Sequence, residues 1–196
     1  DYSGSRGLGD VYKRQILGIL AIVFAATGGV LFGALTAIYR NRLPDYIIMI
    51  LVILGISVPS FVIAAMSQLM LVGINNMAGS TILPVAGWGT ILHMLVPALV
   101  LGLGTMAYLT RLMRSSMLEI IGSDYIRTAR SKGVPPPRIF AKHQLRNAIL
   151  PVVTVLGPSI ASITTGGFVV ELVFAIPGLG RYFVQAVQQL DYTVIM

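Results

Sequence analysis

Long stretches without a charged residue constrain this chain more than any other feature of its sequence. No Asp, Glu, Lys or Arg occurs at 16–39, 46–110 or 147–170. Because roughly 20 apolar residues carry a helix across the hydrocarbon core, each run can span a bilayer, and the second is too long for one helix. Only 11% of the residues are charged, against about 25% in soluble domains. The sequence therefore predicts an all-α, polytopic membrane protein.

Turn residues divide these runs into spans. The segment "NNMAGSTILPVAGWG" at 75–89 interrupts the second run, and Pro59 is expected to kink the helix that precedes it. Gly29 and Gly33 have the spacing that lets a second helix approach closely, although glycines are also tolerated in membrane helices without such a contact. We predict spans at about 16–39, 46–73, 91–113 and 147–170 within a partial transmembrane domain, 16–196, with a loop at 114–146.

The distribution of basic residues predicts the orientation. The formal net charge is +7, and Lys and Arg concentrate in the 40–42 turn and in the 111–146 segment, whereas 74–90 has neither. By the positive-inside rule the first two segments face the cytoplasm and the third lies outside. Membrane lipid is the expected surrounding, and nucleic-acid binding is disfavoured as the reason for the basic excess.

Both termini of the sequence have unusual features. Residues 1–15, "DYSGSRGLGDVYKRQ", are polar and Gly-rich and lack the apolar core of a signal peptide. They resemble read-through of a sequencing adapter, so we expect a non-native leader, which also removes the conflict of Lys13 and Arg14 with the orientation. At the other end, "YTVIM" resembles the start of a further span.

The segment between the third and fourth spans has the signals of two helices joined by a sharp turn. In "SDYIRTARSKG", Ser123 or Asp124 can cap a helix, and Gly133 stands where a left-handed residue would end it. "VPPPRIFAKHQLRNAILP" then starts a second helix, because prolines are tolerated in a first turn. A simpler interpretation is that this loop only sets topology and contacts anionic lipid.

The same segment resembles the cytoplasmic loop of ATP-binding cassette (ABC) importer permeases of the dipeptide/oligopeptide family. Their pattern is close to "DYVRTARAKGL" followed by "HALRNALLPV", and this chain has "DYIRTARSKGV" followed by "HQLRNAILPV". Further similar stretches are "GISVPSFV" at 55–62, "VPALVLGLGTMAYLTRLMRSSMLEII" at 96–121 and "ELVFAIPGLGRYF" at 171–183. The form "VFAIPGLG" is similar to the B-type of the two permease subunits.

The resemblance implies a type I ABC-importer transmembrane domain in a bacterial or archaeal cytoplasmic membrane. It further implies that the 124–146 loop seats in an ATPase subunit and transmits movement to the spans. The implied partners are a second, C-type permease subunit, ATPase subunits that bind ATP and Mg, and an extracytoplasmic solute-binding protein. The implied coupling residues are Asp124, Arg127, Thr128, Ala129, Lys132, Gly133, His143, Arg146 and Asn147.

A second candidate site lies after the fourth span. Glu171 and Arg181 flank "IPGLG", and their pairing would hold this segment as an external gate with Pro177, Gly178 and Gly180. The alternative is that both charges lie at the interface and reach water.

Enzymatic and metal chemistry find no support in the sequence. His93 and His143 fall on opposite sides of the predicted membrane, so we expect no metal site. A phosphate-binding loop and a Ser/His/Asp grouping are both missing from the sequence, so ATP hydrolysis is assigned to other subunits and no cofactor is expected on this chain.

A receptor or assembly subunit remains the alternative function, with a secondary transporter less favoured. The substrate, whether dipeptide, oligopeptide, nickel chelate or sugar, stays open.

Overall fold

A computed structural model describes residues 2–176, with backbone alone for 2–8, 10 and 164–166. Within that range the chain is helical and has no strand. The helices are α1 (Tyr2–Ile38), α2 (Leu43–Ser57), α3 (Ser60–Ala78), α4 (Ile91–Ile121), α5 (Asp124–Ser131), the single turn α6 (Pro136–Arg138), a π-helix (Ile139–Leu145), α7 (Arg146–Gly166) and α8 (Phe168–Val173).

Four of these helical stretches are long and apolar enough to cross a membrane. They are Val11–Ile38, Ser60–Ala78, Ile91–Ile121 and Pro136–Ile163. The chain is therefore a multi-pass α-helical membrane protein, as the charge-free runs predicted. Many large apolar side chains are exposed, among them Leu43, Leu51 and Leu69, which suits surfaces that face hydrocarbon.

The structure corrects the helix expected over 46–73. Instead of one kinked helix there are two, because α2 ends at Ser57 and Pro59 takes the N-cap position of α3 with φ −58° and ψ 141°. The ring of a proline disfavours helical geometry in the residue before it, which here is Val58. α3 then continues to Ala78 and ends at Gly79, whose φ is +64°.

The third span also extends further than expected. α4 continues past residue 113 to Ile121 and so includes Arg114 and Glu119, which the sequence assigned to the loop. Straight-chain residues in "RLMRSSMLEII" have good helix propensity, which favours the continuation of α4.

Two compact units divide the described chain. Within the described residues, the first combines 2–22, 58–102 and 160–176, and the second combines 23–57 and 103–159. The first unit has a core of buried residues that includes Leu17, Ala64 and Phe174. The core of the second includes Ala34, Met113 and Val152.

Two glycines of α1 explain the close approach of α4 in the second unit. A Cβ on Gly29 would lie 2.5 Å from the Cβ of Leu109, and one on Gly33 would lie 2.5 Å from the Cβ of Met113. Real Cβ atoms do not approach so closely, so only glycine fits at either position. Of the two interpretations that the sequence left open for this pair, a close helix contact and glycines without such a contact, the structure supports the first.

Candidate functional site

The loop between α4 and α7 begins with a short helix, α5, whose two ends are well defined. Ser123 occupies the N-cap position of α5 with extended backbone, but its hydroxyl donates to the carbonyl of Ile120 at 2.6 Å. Of the two expected cap residues, Ser123 therefore has the position and closes the end of α4, while Asp124 is the first residue of α5.

The other end of α5 is closed by Gly133. Its φ is +72°, its N–H donates to the Arg130 carbonyl at 3.0 Å, and the N–H of Val134 donates to the Ala129 carbonyl at 3.2 Å. These two bonds form a Schellman motif, which favours glycine because a Cβ is strained in the left-handed region. The predicted helix end at Gly133 is confirmed.

One face of α5 is anchored. Ile126 is fully buried, and the helix contacts the π-helix that leads into α7. The amide of Asn147 donates both to the Tyr125 hydroxyl, at 3.2 Å, and to the His143 carbonyl, at 2.9 Å. The short helix is therefore held against the π-helix, and the hydrogen bond of Asn147 ties it to the start of α7.

The opposite face of α5 is polar and open to solvent. Arg127 and Asp124 approach to 3.9 Å with side chains 79% and 98% exposed, a geometry that stabilises little. Ala129 and His143 are half-buried. The exposed members of the sequence-predicted set are Asp124, Arg127, Thr128, Lys132, Gly133, Arg146 and Asn147.

An ion pair that the sequence analysis missed joins the α1–α2 turn to α4. Asp45 accepts hydrogen bonds from Arg114 Nε at 2.9 Å and Nη2 at 2.8 Å, and a third from the N–H of Asn41 at 2.9 Å. The hydrogen bonds from Arg114 hold the pKa of Asp45 below its ordinary value, against the opposing effect of burial. The sequence carried one signal for this pair: Asp45 is an isolated acid just before the charge-free run 46–110, and such an acid needs a basic partner.

Amide side chains organise the connection between α3 and α4 in the first unit. Asn75 donates to the Leu83 carbonyl at 2.8 Å and accepts from the N–H of Ile82 at 3.0 Å. Gln68 donates to the carbonyls of Val85, at 3.2 Å, and Val173, at 2.7 Å. The segment 79–90 is thus tied to α3 by side chains that sequence reasoning did not single out.

The candidate gate lies only partly within the described residues. Glu171 is 2% exposed, so it does not reach water as the alternative interpretation required, and its Oε1 lies 3.6 Å from Nε of Arg14. Arg14 in turn stacks over the ring of Phe168, 4.4 Å from the centroid. Pro177, Gly178, Gly180 and Arg181 fall outside the described residues, so the pairing of Glu171 with Arg181 stays a prediction.

Metal ligands do not cluster in the part of the chain that the structure describes, since no three His, Asp or Glu side chains converge there.

The basic loop has the features of a docking surface for another protein, because its backbone is held in place and one face of α5 is charged and exposed.

A family model for the inner membrane component of binding-protein-dependent transport systems matches residues 29–196. The chain belongs to this family. The match includes α2 to α8 and the whole basic loop, so the family assignment covers the surface described above. It also places the chain in the cytoplasmic membrane, in agreement with the four apolar spans.

Curated relatives extend the comparison. The dipeptide transport system permease protein DppB of Bacillus subtilis is 48% identical over 181 residues, which are 92% of this chain and 57% of that protein. The oligopeptide transport system permease protein OppB of Haemophilus influenzae is 41% identical over 182 residues, 92% of this chain and 58% of that protein. The chain therefore spans somewhat more than half the length of these relatives.

Proposed function

We propose that this chain belongs to a B-type permease subunit in an ABC importer for peptides. The observation that supports this most directly is α5, a short helix with one anchored face and one exposed polar face, in a chain of the binding-protein-dependent transport family. The names of the relatives, which are dipeptide and oligopeptide permeases, support peptides as the substrate class.

The proposed role of the loop at 124–146 is mechanical coupling. The exposed side chains of Arg127 and Lys132 can form charge-assisted hydrogen bonds with an ATPase subunit, and the small residues Ala129 and Gly133 permit close approach. Ile126 is buried and Asn147 donates a hydrogen bond to Tyr125. A displacement of α5 would therefore move the start of α7 with it. Asp124, Thr128, His143 and Arg146 complete the proposed contact.

The remaining parts of the transporter come from other chains in this proposal. A C-type permease subunit would complete the translocation pathway, a solute-binding protein would deliver the peptide outside, and two ATPase subunits would bind ATP and Mg. This chain then has no ATPase activity and no cofactor of its own, and it moves between inward-open and outward-open states. Glu171 and the segment with Pro177, Gly178, Gly180 and Arg181 form the proposed external gate.

A crosslinking experiment tests the coupling role. The sequence has no cysteine, so Ser131→Cys on the exposed end of α5 would introduce a single reactive thiol into this region of the full-length permease. Expressed with its neighbouring genes, it should crosslink in membranes to an ATPase subunit, and ATP should change the yield. The matched control is Ser80→Cys, in the exposed connection between α3 and α4, which should not capture the ATPase.

Either of two results would contradict the proposal. Capture of the ATPase from position 80 but not from 131 would reverse the orientation. Absence of any ATPase product from position 131, with the permease correctly inserted, would favour a receptor or assembly subunit.

A separate uptake experiment defines the substrate class. Uptake of a labelled dipeptide is measured with and without an excess of longer peptides, and competition would show that the longer peptides are also substrates.

A further inference from the structure

A cavity of about 850 Å³ opens beside α5 in the second unit. It is bordered by the end of α1, the end of α4, α6 and the π-helix. Its walls are mostly apolar and include Ile121, Val134 and Phe140. A concave apolar surface of this size next to a basic loop has the dimensions of a small-molecule site.

Two arginines line the same cavity. Arg40 lies just after α1, and Arg130 belongs to the last turn of α5. Neither forms an ion pair with any described residue. Arg40 interacts electrostatically with Asp45, but the oxygens of Asp45 already accept hydrogen bonds from Arg114 and Asn41. The cavity therefore has two cationic groups whose charge is available to a ligand.

Gln144 adds a third polar group to the wall of the cavity. It is 7% exposed as a whole residue, it lines the cavity, and its side-chain amide forms no hydrogen bond within the described part of the chain. The amide is therefore free to donate to, or accept from, a ligand beside the two arginines.

We propose that this cavity binds the headgroup of an anionic phospholipid from the leaflet on the basic side of the membrane. The two arginines would bind the phosphate, Gln144 would hydrogen-bond to a headgroup or ester oxygen, and the walls at Ile121 and Phe140 would contact the apolar part of the lipid. Free phosphate would use only the polar groups and leave the apolar walls uncovered, so the lipid is the better match. Because α5 contributes Arg130, the lipid would also contact the helix proposed to couple to the ATPase.

Photocrosslinking in nanodiscs tests this site. The full-length permease, in its assembled transporter, is placed in phosphatidylcholine with a minor fraction of phosphatidylglycerol carrying a headgroup diazirine, and adducts are mapped by peptide mass spectrometry. We expect adducts at the cavity residues, with the yield falling about fivefold for each arginine removed in Arg40→Gln/Arg130→Gln. Gln144→Leu should lower the yield with no change in charge.

The matched control is Arg42→Gln/Arg138→Gln, which removes the same charge from exposed positions in the turn after α1 and in α6 that do not line the cavity. An equal loss in both pairs would reduce the effect to general surface electrostatics and overturn the proposal. So would adducts confined to other surfaces, competition by inorganic phosphate as strong as that by unlabelled phosphatidylglycerol, or capture of a protein segment in place of lipid. If the double variant fails to assemble, the adduct yields of the single variants Arg40→Gln and Gln144→Leu test the proposal, and unchanged yields in both would overturn it. None of these readouts depends on ATP coupling.

Discussion

Arg114 and Asp45 form a two-pronged ion pair, with hydrogen bonds of 2.9 and 2.8 Å between residues 69 positions apart. The carboxylate side chain is 4% exposed and the guanidinium side chain 23% exposed. The pair fixes the turn after α1 against α4 within the second unit. Its environment lies between those of a surface pair and a fully buried one, so that the loss of one partner leaves a largely desolvated charge.

We predict that Asp45→Asn lowers the free energy of unfolding by about 2 kcal/mol, between the values for exposed and fully buried pairs, since removal of one partner leaves Arg114 without its counter-charge. Replacing both residues, in Asp45→Leu/Arg114→Leu, should recover most of that loss. Thermal unfolding of the purified permease, followed by fluorescence, measures both. The control is Asp124→Asn, which removes the acid of an exposed pair and should change nothing measurable; equal effects at positions 45 and 124 would contradict the prediction.

The same pair predicts a pH dependence. Because Arg114 lowers the pKa of Asp45 in the folded state, its stabilisation is complete above the pKa of an unfolded Asp and is lost as the pH falls through the lower, folded value. The difference in melting temperature between the natural sequence and Asp45→Asn should therefore shrink on acidification. A difference that stays constant down to strongly acidic pH would show that the ion pair is not its source.

The glycine contact of α1 with α4 gives a steric prediction. Gly33→Ala would put a Cβ 2.5 Å from that of Met113 and 2.8 Å from the carbonyl oxygen of Thr110. The helices must then separate, and overpacking of this kind costs about 1–3 kcal/mol. Gly157→Ala in α7, where nothing lies within 4 Å of the new Cβ, is the control and should be neutral or stabilising. Melting temperatures of the two variants distinguish them.

Asn75 should control the order of the connection between α3 and α4. Asn75→Leu removes the hydrogen bonds to Ile82 and Leu83, and we expect faster amide hydrogen exchange in the peptide that contains them, by about tenfold for a loss of 1.4 kcal/mol. The neighbouring Asn76 is exposed, and its side chain makes no hydrogen bond within the described residues, so Asn76→Leu is a matched control. Equal exchange in the two variants would sink the idea.

Gly133 connects helix geometry with the proposed coupling. Gly133→Ala places a Cβ at φ +72°, which costs about 1–2 kcal/mol and weakens the end of α5. We expect peptide-stimulated ATP hydrolysis by the assembled transporter to fall, with less loss in Gly133→Asn because asparagine tolerates this conformation better. Gly122→Ala, whose Cβ would make only ordinary contacts at 3.6 Å or more, should retain activity. Equal activity in all three variants would contradict a coupling role for this helix end.

Several features of the molecule followed from local patterns in the sequence. Charge-free runs predicted a multi-pass helical protein, because the cost of burying charge in hydrocarbon is independent of which helices are neighbours. The helix end at Gly133 was predicted in the same way, since it depends on what a single residue type permits. The spacing of Gly29 and Gly33 left a helix contact as one of two possibilities. The resemblance of the 124–151 segment to peptide permeases led to the family that the comparison established.

Other features depended on three-dimensional proximity. The strength of the break at Pro59 was underestimated, because a proline either kinks or ends a helix according to the packing around it. The pairing of Asp45 with Arg114, the hydrogen bond from Gln68 to the Val173 carbonyl and the association of Arg40, Arg130 and Gln144 around one cavity join residues distant in sequence.

The sequence by itself determined that this chain is a multi-pass helical membrane protein with one structured basic loop, since hydropathy, glycine and proline act through local chemistry. Only the tertiary structure decided which polar side chains find partners and which remain available, because hydrogen bonds and desolvation depend on the neighbours that folding brings together.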